Sequence, residues 1–408
     1  MPSGSTAATP PAAAPRPHGR ALLSVLFLTV FIDLIGFGIV IPLLPLYAEQ
    51  FGAGPVTVTW LVAIFSLMQF VFAPWWGQLS DRIGRRPVLL IGLFGSAASY
   101  LLFGLAQSLA LLFVARALAG VMGANIGVAQ AYIADVTPPE QRARGMGLIG
   151  AAFGLGFIFG PALGGLLSRY GMAVPFFAAA ALSLANALLA VVRLPEPLSA
   201  EARARASGSR PGLRERLRAL RQLGGRSRLS RLYTASFLVT LAFAAMEATF
   251  SLWSARRWGL TPERIAYLFA FLGTVGVLIQ GVGMGRLVRR FGERRLALIG
   301  AAALTLGLVG VTLAPSLLLL TAALTLFAFG QGTLLPSLSA LISHSAGAAE
   351  QGRVLGASQS YSALARVLGP VLGGVAFARV GLDAPYFSGA GLAALALVML
   401  VSLPGARS

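Results

Sequence analysis

The stretch Gly77-Gln78-Leu79-Ser80-Asp81-Arg82-Ile83-Gly84-Arg85-Arg86 closes one charge-free apolar run, 56–79, and leads at once into another, 87–114. Each run is long enough to cross roughly 30 Å of hydrocarbon at about 1.5 Å per helical residue. Gly84 supplies the backbone freedom of a tight turn, and Gly77 lets a second backbone come close. Asp81 is placed to face the positive N-terminal end of a neighbouring helix. Arg85 and Arg86 hold the turn at a membrane surface. A plain basic loop would need neither Asp81 nor Gly84 at this spacing.

The same alternation of apolar run and polar break extends through the chain. Its 408 residues are 57% hydrophobic and 11% charged, with mean hydropathy +0.80; soluble proteins carry about a quarter charged residues. Twelve helices are predicted, over 21–48, 57–79, 87–107, 109–134, 145–168 and 172–192, then 231–255, 264–285, 295–314, 316–343, 353–378 and 383–403. The breaks hold Gly, Pro or charge, as in Gly52-Ala53-Gly54-Pro55 and Thr137-Pro138-Pro139.

The formal net charge is +19, which in a soluble protein would suggest nucleic acid. Here the charge sits in alternate loops. One set holds Arg82, Arg85 and Arg86, then Arg142 and Arg144, the segment from Arg203 to Arg231, the segment from Arg286 to Arg295, and Arg353. The other set holds Arg169, Arg256, Arg257, Arg264 and Arg379. The positive-inside rule assigns the first set to the cytoplasm, and an even number of crossings then puts both termini there. The expected location is the bacterial cytoplasmic (inner) membrane, with the lipid bilayer as the surrounding partner.

Two motifs recur at nearly one period. Gly285-Arg286-Leu287-Val288-Arg289-Arg290-Phe291-Gly292-Glu293-Arg294-Arg295 repeats the opening stretch, and Gly-Pro-x-x-Gly-Gly occurs at Gly160 to Gly165 and at Gly369 to Gly374. This predicts an internal duplication, a recognised transporter design. The organisation read from the sequence is a disordered tail 1–20, a six-helix bundle 21–193, a basic linker 194–230, a second bundle 231–403 and a short tail 404–408. Within the linker, 213–223 reads either as an amphipathic helix on anionic lipid or as a solvated tether. The fold class is all-α, with twelve transmembrane helices in two bundles related by a pseudo-twofold around a central cavity.

In the helix over 145–168, Gly147, Gly156, Gly160, Pro161, Gly164 and Gly165 place small residues at about four-residue spacing, which suits close helix packing, and Pro161 bends the helix. Arg116 lies about two turns inside the membrane. An Arg there costs at least ~2.5 kcal/mol on insertion scales, so it faces a cavity or partner unless it snorkels to the interface. Asp33 and Glu247 are the carboxylates near helix centres. Such groups read as proton carriers or cation attractors, the alternative being a satisfied structural hydrogen bond. Gln69, Asn125, Gln130, Gln280, Gln331, Gln359 and Tyr361 are candidates to line the cavity beside Phe65, Phe250 and Trp253, an arrangement suited to an amphiphilic drug-sized compound. Each alone is more often a helix–helix hydrogen bond.

The opening stretch resembles the signature loop of the major facilitator superfamily. That resemblance implies a conformational latch of Gly77, Asp81, Arg82, Gly84, Arg85, Arg86 and Asp135. Asp81 would dock on the start of the helix over 353–378, and its Arg neighbours on Asp135 or Glu140. Arg289 stands where the second copy would have the Asp, so the latch is expected in one half only. The glycine series of 145–168 is similar to the antiporter motif of drug exporters, and Arg116 to a motif of proton-coupled members. Asp33 to Gly38 with Pro42 and Pro45, Met68 to Phe70 with Ala73-Pro74, Ala131 to Asp135, Pro175 to Ala180, and Gln280 ahead of Gly292-Glu293-Arg294-Arg295 resemble tetracycline/proton antiporters. Those exporters carry a further carboxylate at a place corresponding to about Leu304, inside the apolar run 301–306. Here Glu247 is the second-half carboxylate instead.

The function expected is a proton-coupled secondary transporter that exports a small organic compound by alternating access as a monomer, a drug, with the tetracycline type implied by the resemblance. Asp33, Arg116 and Glu247 are the expected coupling residues. The alternative is a proton-coupled importer or uniporter of a metabolite such as a sugar or amino acid. With no Cys and two His, metal and thiol chemistry are not expected, and neither a cofactor, an enzyme activity nor a nucleic-acid partner is implied. No Gly-Lys-Ser/Thr loop points to ATP.

Overall fold

The computed structural model describes residues 19–138, 141–199, 203, 227–346 and 350–403. The tail 1–18, Glu140, the linker segment that includes 213–223, and the tail 404–408 lie outside the described residues. Long apolar runs without interior charge have one way to satisfy their backbone in hydrocarbon, which is to close every hydrogen bond within a helix. The chain does so in α1 (Gly19–Glu49), α2 (Pro55–Ile83), α3 (Arg85–Gly104), α4 (Leu109–Gly123), α5 (Ile126–Val136), α6 (Arg142–Ser168) and α7 (Val174–Arg193). The second half forms α8 (Ser227–Trp258), α9 (Pro262–Val277), α10 (Met284–Leu313), α11 (Leu317–His344), α12 (Gln351–Arg379) and α13 (Ala384–Val401).

Two elements differ from the sequence reading. The helix expected over 109–134 is broken, because the chain turns at Ala124 and Asn125 between α4 and α5. Together α4 and α5 still make one crossing. The helix expected over 264–285 contains a π-helical turn, Leu278–Gly283. Among the described residues eleven helical stretches are apolar and long enough to span a membrane, one of them the 52-residue Pro262–Leu313. A straight helix of that length would reach about 78 Å. Non-helical Gly292, at φ 72° and ψ 160°, folds it into two crossings and brings the total to twelve.

The duplication is visible in backbone geometry. Among the described residues six glycines have positive φ, and they pair: Gly52 with Gly259, Gly84 with Gly292, and Gly171 with Gly381, 207, 208 and 210 residues apart. The helix caps pair as well. Ser108 Oγ accepts from Leu111 N and Ser316 Oγ from Leu319 N, each at 3.3 Å. Packing follows the same symmetry. In each bundle α1 lies on α6 and α8 on α12; between bundles α6 lies on α9 and α2 on α12. Gly165 sits against Ala266, and its counterpart Gly374 sits against Thr59.

One end of the molecule carries the Arg-rich turns and is called the basic end here. At the opposite end polar contacts join the halves. Arg169 pairs with Glu263, Arg256 Nη2 lies 2.7 Å from Glu49 Oε1, and Ser251 Oγ donates to the Pro42 carbonyl at 2.9 Å. Towards the basic end the halves part. A Cβ built on Gly77, Gly147 or Gly356 would meet nothing within 4 Å.

Candidate functional site

Between the halves lies a cavity of about 690 Å³. Its wall takes Asp33, Phe37 and Pro45 from α1, Phe65, Gln69 and Phe70 from α2, Ser96 and Tyr100 from α3, and Arg116 from α4. Gln130 comes from α5, Phe153 and Phe157 from α6, Phe243 and Glu247 from α8, and Gln359, Ser360 and Arg366 from α12. On the side of the basic end Phe70, Pro74, Gln130, Gln359 and Ser360 are exposed, whereas Leu44 at the far side is buried.

The ionisable residues form one network across both halves. The Ser96 hydroxyl hydrogen-bonds one side of the Asp33 carboxyl, and Asp33 Oδ1 is buried with no hydrogen-bond partner among the described residues. Tyr100 lies in the electrostatic field of both Asp33 and Arg116. Gly36 makes room for it, since a Cβ there would sit 2.8 Å from the Tyr100 ring. Arg116 is 4% exposed. Its Nε donates to the Leu61 carbonyl at 3.3 Å, and its guanidinium carbon lies 4.4 Å from the Phe65 ring centre, a cation–π contact. Glu247 lies in the fields of Arg116 and Arg366. Asp33 and Arg116 are thus contributed by the first half, Glu247 and Arg366 by the second.

Of the residues expected to line the cavity, Gln69, Gln130, Gln359 and Phe65 do so. Gln69 is also tied down, with Nε2 donating to the Gly123 carbonyl at 3.1 Å. Six others lie elsewhere. Asn125 turns into the α3 seam, where Nδ2 donates to the Leu89 carbonyl at 3.1 Å and Gly92 leaves space for it. Phe250 is fully buried against Trp253 and Phe269. One turn beyond Glu247, it falls on the side of α8 that faces α9. Trp253 donates Nε1 to Asp383 at 2.7 Å. Gln280 is exposed in the π-helical turn. Gln331 belongs to α11, which packs on α10 and contributes nothing to the wall. Tyr361 stacks on Tyr233, ring centres 5.4 Å apart, although its neighbour Ser360 lines the cavity. Leu304 is buried in the α10–α11 seam against Gly330.

The glycine series of α6 has three uses. Gly156 and Gly160 press on the backbone of α1, where a Cβ on Gly160 would be 2.7 Å from the Gly38 Cα, and Gly164 meets Ile39. Gly165 meets the other half at Ala266. Gly147 faces open space. The Gly77–Arg86 turn is held within its own half. Arg85 bonds Asp81 at 2.6 Å and Asp135 at 2.9 Å. Glu196 caps α3 by accepting from Arg85 N at 3.0 Å and Arg86 N at 2.9 Å, and the Arg86 guanidinium reaches the Val191 carbonyl at 2.6 Å. Gly77 was expected at a close backbone approach and in this conformation has none. Sequence reasoning missed Glu196, which lies beyond the end of α7, and Arg366.

The sequence matches the model of the Major Facilitator Superfamily over residues 26–370 and again over 277–407. The chain belongs to the major facilitator superfamily. It is 33% identical over 367 residues to multidrug resistance protein 2 of Bacillus subtilis (strain 168), covering 88% of this chain and 89% of that one. To the class C tetracycline resistance protein of Escherichia coli it is 33% identical over 391 residues, covering 94% and 96%. The crystal structure of the human organic anion transporter MFSD10 (TETRAN) superposes with a TM-score of 0.72 at 29% identity, covering 94% of this chain and all of that one. Members of this superfamily are transporters rather than enzymes. The chain is accordingly a multi-pass membrane transporter of small molecules.

Proposed function

We propose that the chain is a proton-coupled exporter of a small organic compound, working by alternating access as a monomer in the bacterial cytoplasmic membrane. The observation that carries this reading is the network Asp33–Ser96–Tyr100–Arg116–Glu247–Arg366, which lies in a cavity between the halves. Its members come from helices of both bundles, so a change of protonation at one acid alters the field felt in the other half. Arg-rich turns assign the basic end to the cytoplasm. The conformation is then inward-facing, with the outer end shut by Arg256–Glu49, Arg169–Glu263 and Ser251–Pro42.

Asp33 is the proton site in this scheme. Its Oδ1, buried without a partner among the described residues, suits a carboxyl that alternates between charged and neutral forms while Arg116 stays fixed on Phe65 and Leu61. The names of the relatives, a multidrug and a tetracycline resistance protein, support drug-like substrates. The place of Leu304, sealed in a helix seam, separates this cavity from that of tetracycline exporters with a carboxylate there.

The test is substrate-induced proton movement in inverted membrane vesicles with a pH-sensitive dye, using tetracycline, cationic dyes, phenicols and a sugar. A responding compound is expected to dissipate the gradient with wild type and to lose at least about tenfold of that signal with Asp33→Asn. Transport of a compound without proton movement would favour a uniporter, and energised uptake an importer.

A further inference from the structure

We propose that Arg366 is an anion-binding group of the cavity, and that the exported compound is an aromatic amphiphile bearing a carboxylate or a comparable anionic group. This deepens the reading of the cavity as the transport site and rests on it. On α12 the wall residues Gln359, Ala363, Arg366 and Pro370 recur at four, three and four residues, so they form one helix face. Arg366 stands thirteen residues from the Arg379 end of α12, about 20 Å along the axis, which is the middle of the bilayer. A guanidinium at that depth is costly and marks a site or a partner.

The partner is not supplied by the protein. Arg366 and Glu247 sense each other electrostatically, yet no ion pair or hydrogen bond joins them among the described residues. Arg366 is exposed to the cavity, so the five N–H donors of its guanidinium point into space that water or a ligand fills. Arg116 is the contrast. That residue is 4% exposed, with its Nε committed to the Leu61 carbonyl and its plane to Phe65. A planar fork of free donors matches a carboxylate in bidentate fashion, which a point charge does not.

The opposite wall supplies the rest of the ligand's chemistry. Phe37 lies 5.2 Å from Phe65 and 6.0 Å from Phe157, ring centre to ring centre, and all three line the cavity. They belong to the first half and Arg366 to the second. A compound with an aromatic body and an anionic group therefore touches both halves at once. Neutral compounds forgo this pairing and cationic ones meet a like charge, which weakens their binding.

The experiment measures fluorescence anisotropy of two dyes on the purified full-length protein: a rhodamine with a free carboxylate and its methyl ester, which share one ring system. Wild type is expected to bind the carboxylate about tenfold more tightly than the ester. R366Q should bring the ratio to about one by weakening the carboxylate, and R366K should retain part of it. Equal binding of the dyes by wild type, binding of neither, or a preference that survives R366Q would each overturn the assignment. If R366Q does not fold, the wild-type ratio and R366K decide, because a preference untouched by R366K rules out bidentate recognition. The exporter reading fails separately, when neither dye moves protons in inverted vesicles although the carboxylate preference stands.

Discussion

At Gly84 the backbone has φ 110° and ψ 159°, a region that only glycine occupies at low cost. Any Cβ there would also run into the Glu196 carboxylate. Its counterpart Gly292 has a similar conformation with nothing within 4 Å. Gly292→Ala should therefore cost the backbone strain alone, about 1–3 kcal/mol, and Gly84→Ala should cost more. Melting midpoints of the purified proteins check the order, and combining Gly84→Ala with Glu196→Ala should bring the excess down. Residues of this kind divide by how far their signal carries in sequence. The need for Gly84 is legible because the turn is local. Glu196 is not, because it caps backbone groups more than a hundred residues away and follows a helix end that reads as linker. Asp33 and Arg116 stand out against strongly apolar runs. Arg366 does not, because α12 carries Gln351, Arg353, Ser358, Gln359 and Ser360 as well, and one more polar residue gives no contrast.

Among elements, α2 and α12 show how a helix can be packed at one end and open at the other. Thr59 near the start of α2 fills the place of a side chain on Gly374, while Gly77 near its far end meets nothing. Gly374→Val should force the outer ends apart, and Gly77→Val should hinder closure of the basic ends. Because the chain has no cysteine, Leu44→Cys, at a buried position on the shut side of the cavity, can report both. Labelling by an impermeant maleimide from the side opposite the basic end is expected to rise with Gly374→Val and to fall with Gly77→Val. The same contrast explains which parts of the glycine motifs were readable. Small residues at four-residue spacing specify that helices can touch, and contacts such as Gly160 on Gly38 follow. Whether Gly77 and Gly147 touch anything depends on which end is shut, and a sequence common to all conformations carries no mark of one of them. The twelve crossings were legible from apolar length, whereas the π-helical turn Leu278–Gly283 was not, since it leaves its crossing unbroken.

For the molecule as a whole, the outer closure combines helix packing, α6 on α9 and α2 on α12, with the ion pairs Arg256–Glu49 and Arg169–Glu263 and the Ser251–Pro42 hydrogen bond. Partly exposed pairs contribute on the order of 0.2–1 kcal/mol each, so losing one shifts the balance between the two states only modestly. Arg256→Glu should raise Leu44→Cys labelling by up to about fivefold, an energy on the order of 1 kcal/mol. Adding Glu49→Arg should reverse most of that rise, and an effect that persists in the charge-swapped pair would remove the Glu49 contact from the gate.

The paired glycine turns also set the cavity's charges against their counterparts in the other half. Carrying their spacing of 207 to 210 residues to the four charged wall residues sets Asp33 against Thr240, Arg116 against Leu324, Glu247 against Val40 and Arg366 against Phe157. No charge has a charged twin. If the two bundles descend from one ancestral gene whose product paired with a second copy of itself, that homodimer held identical residues on both sides of its axis. At each of these pairs at least one copy has changed since the fusion, when each became free to diverge. The backbone preserves the ancestor's symmetry, and the ion chemistry records its loss.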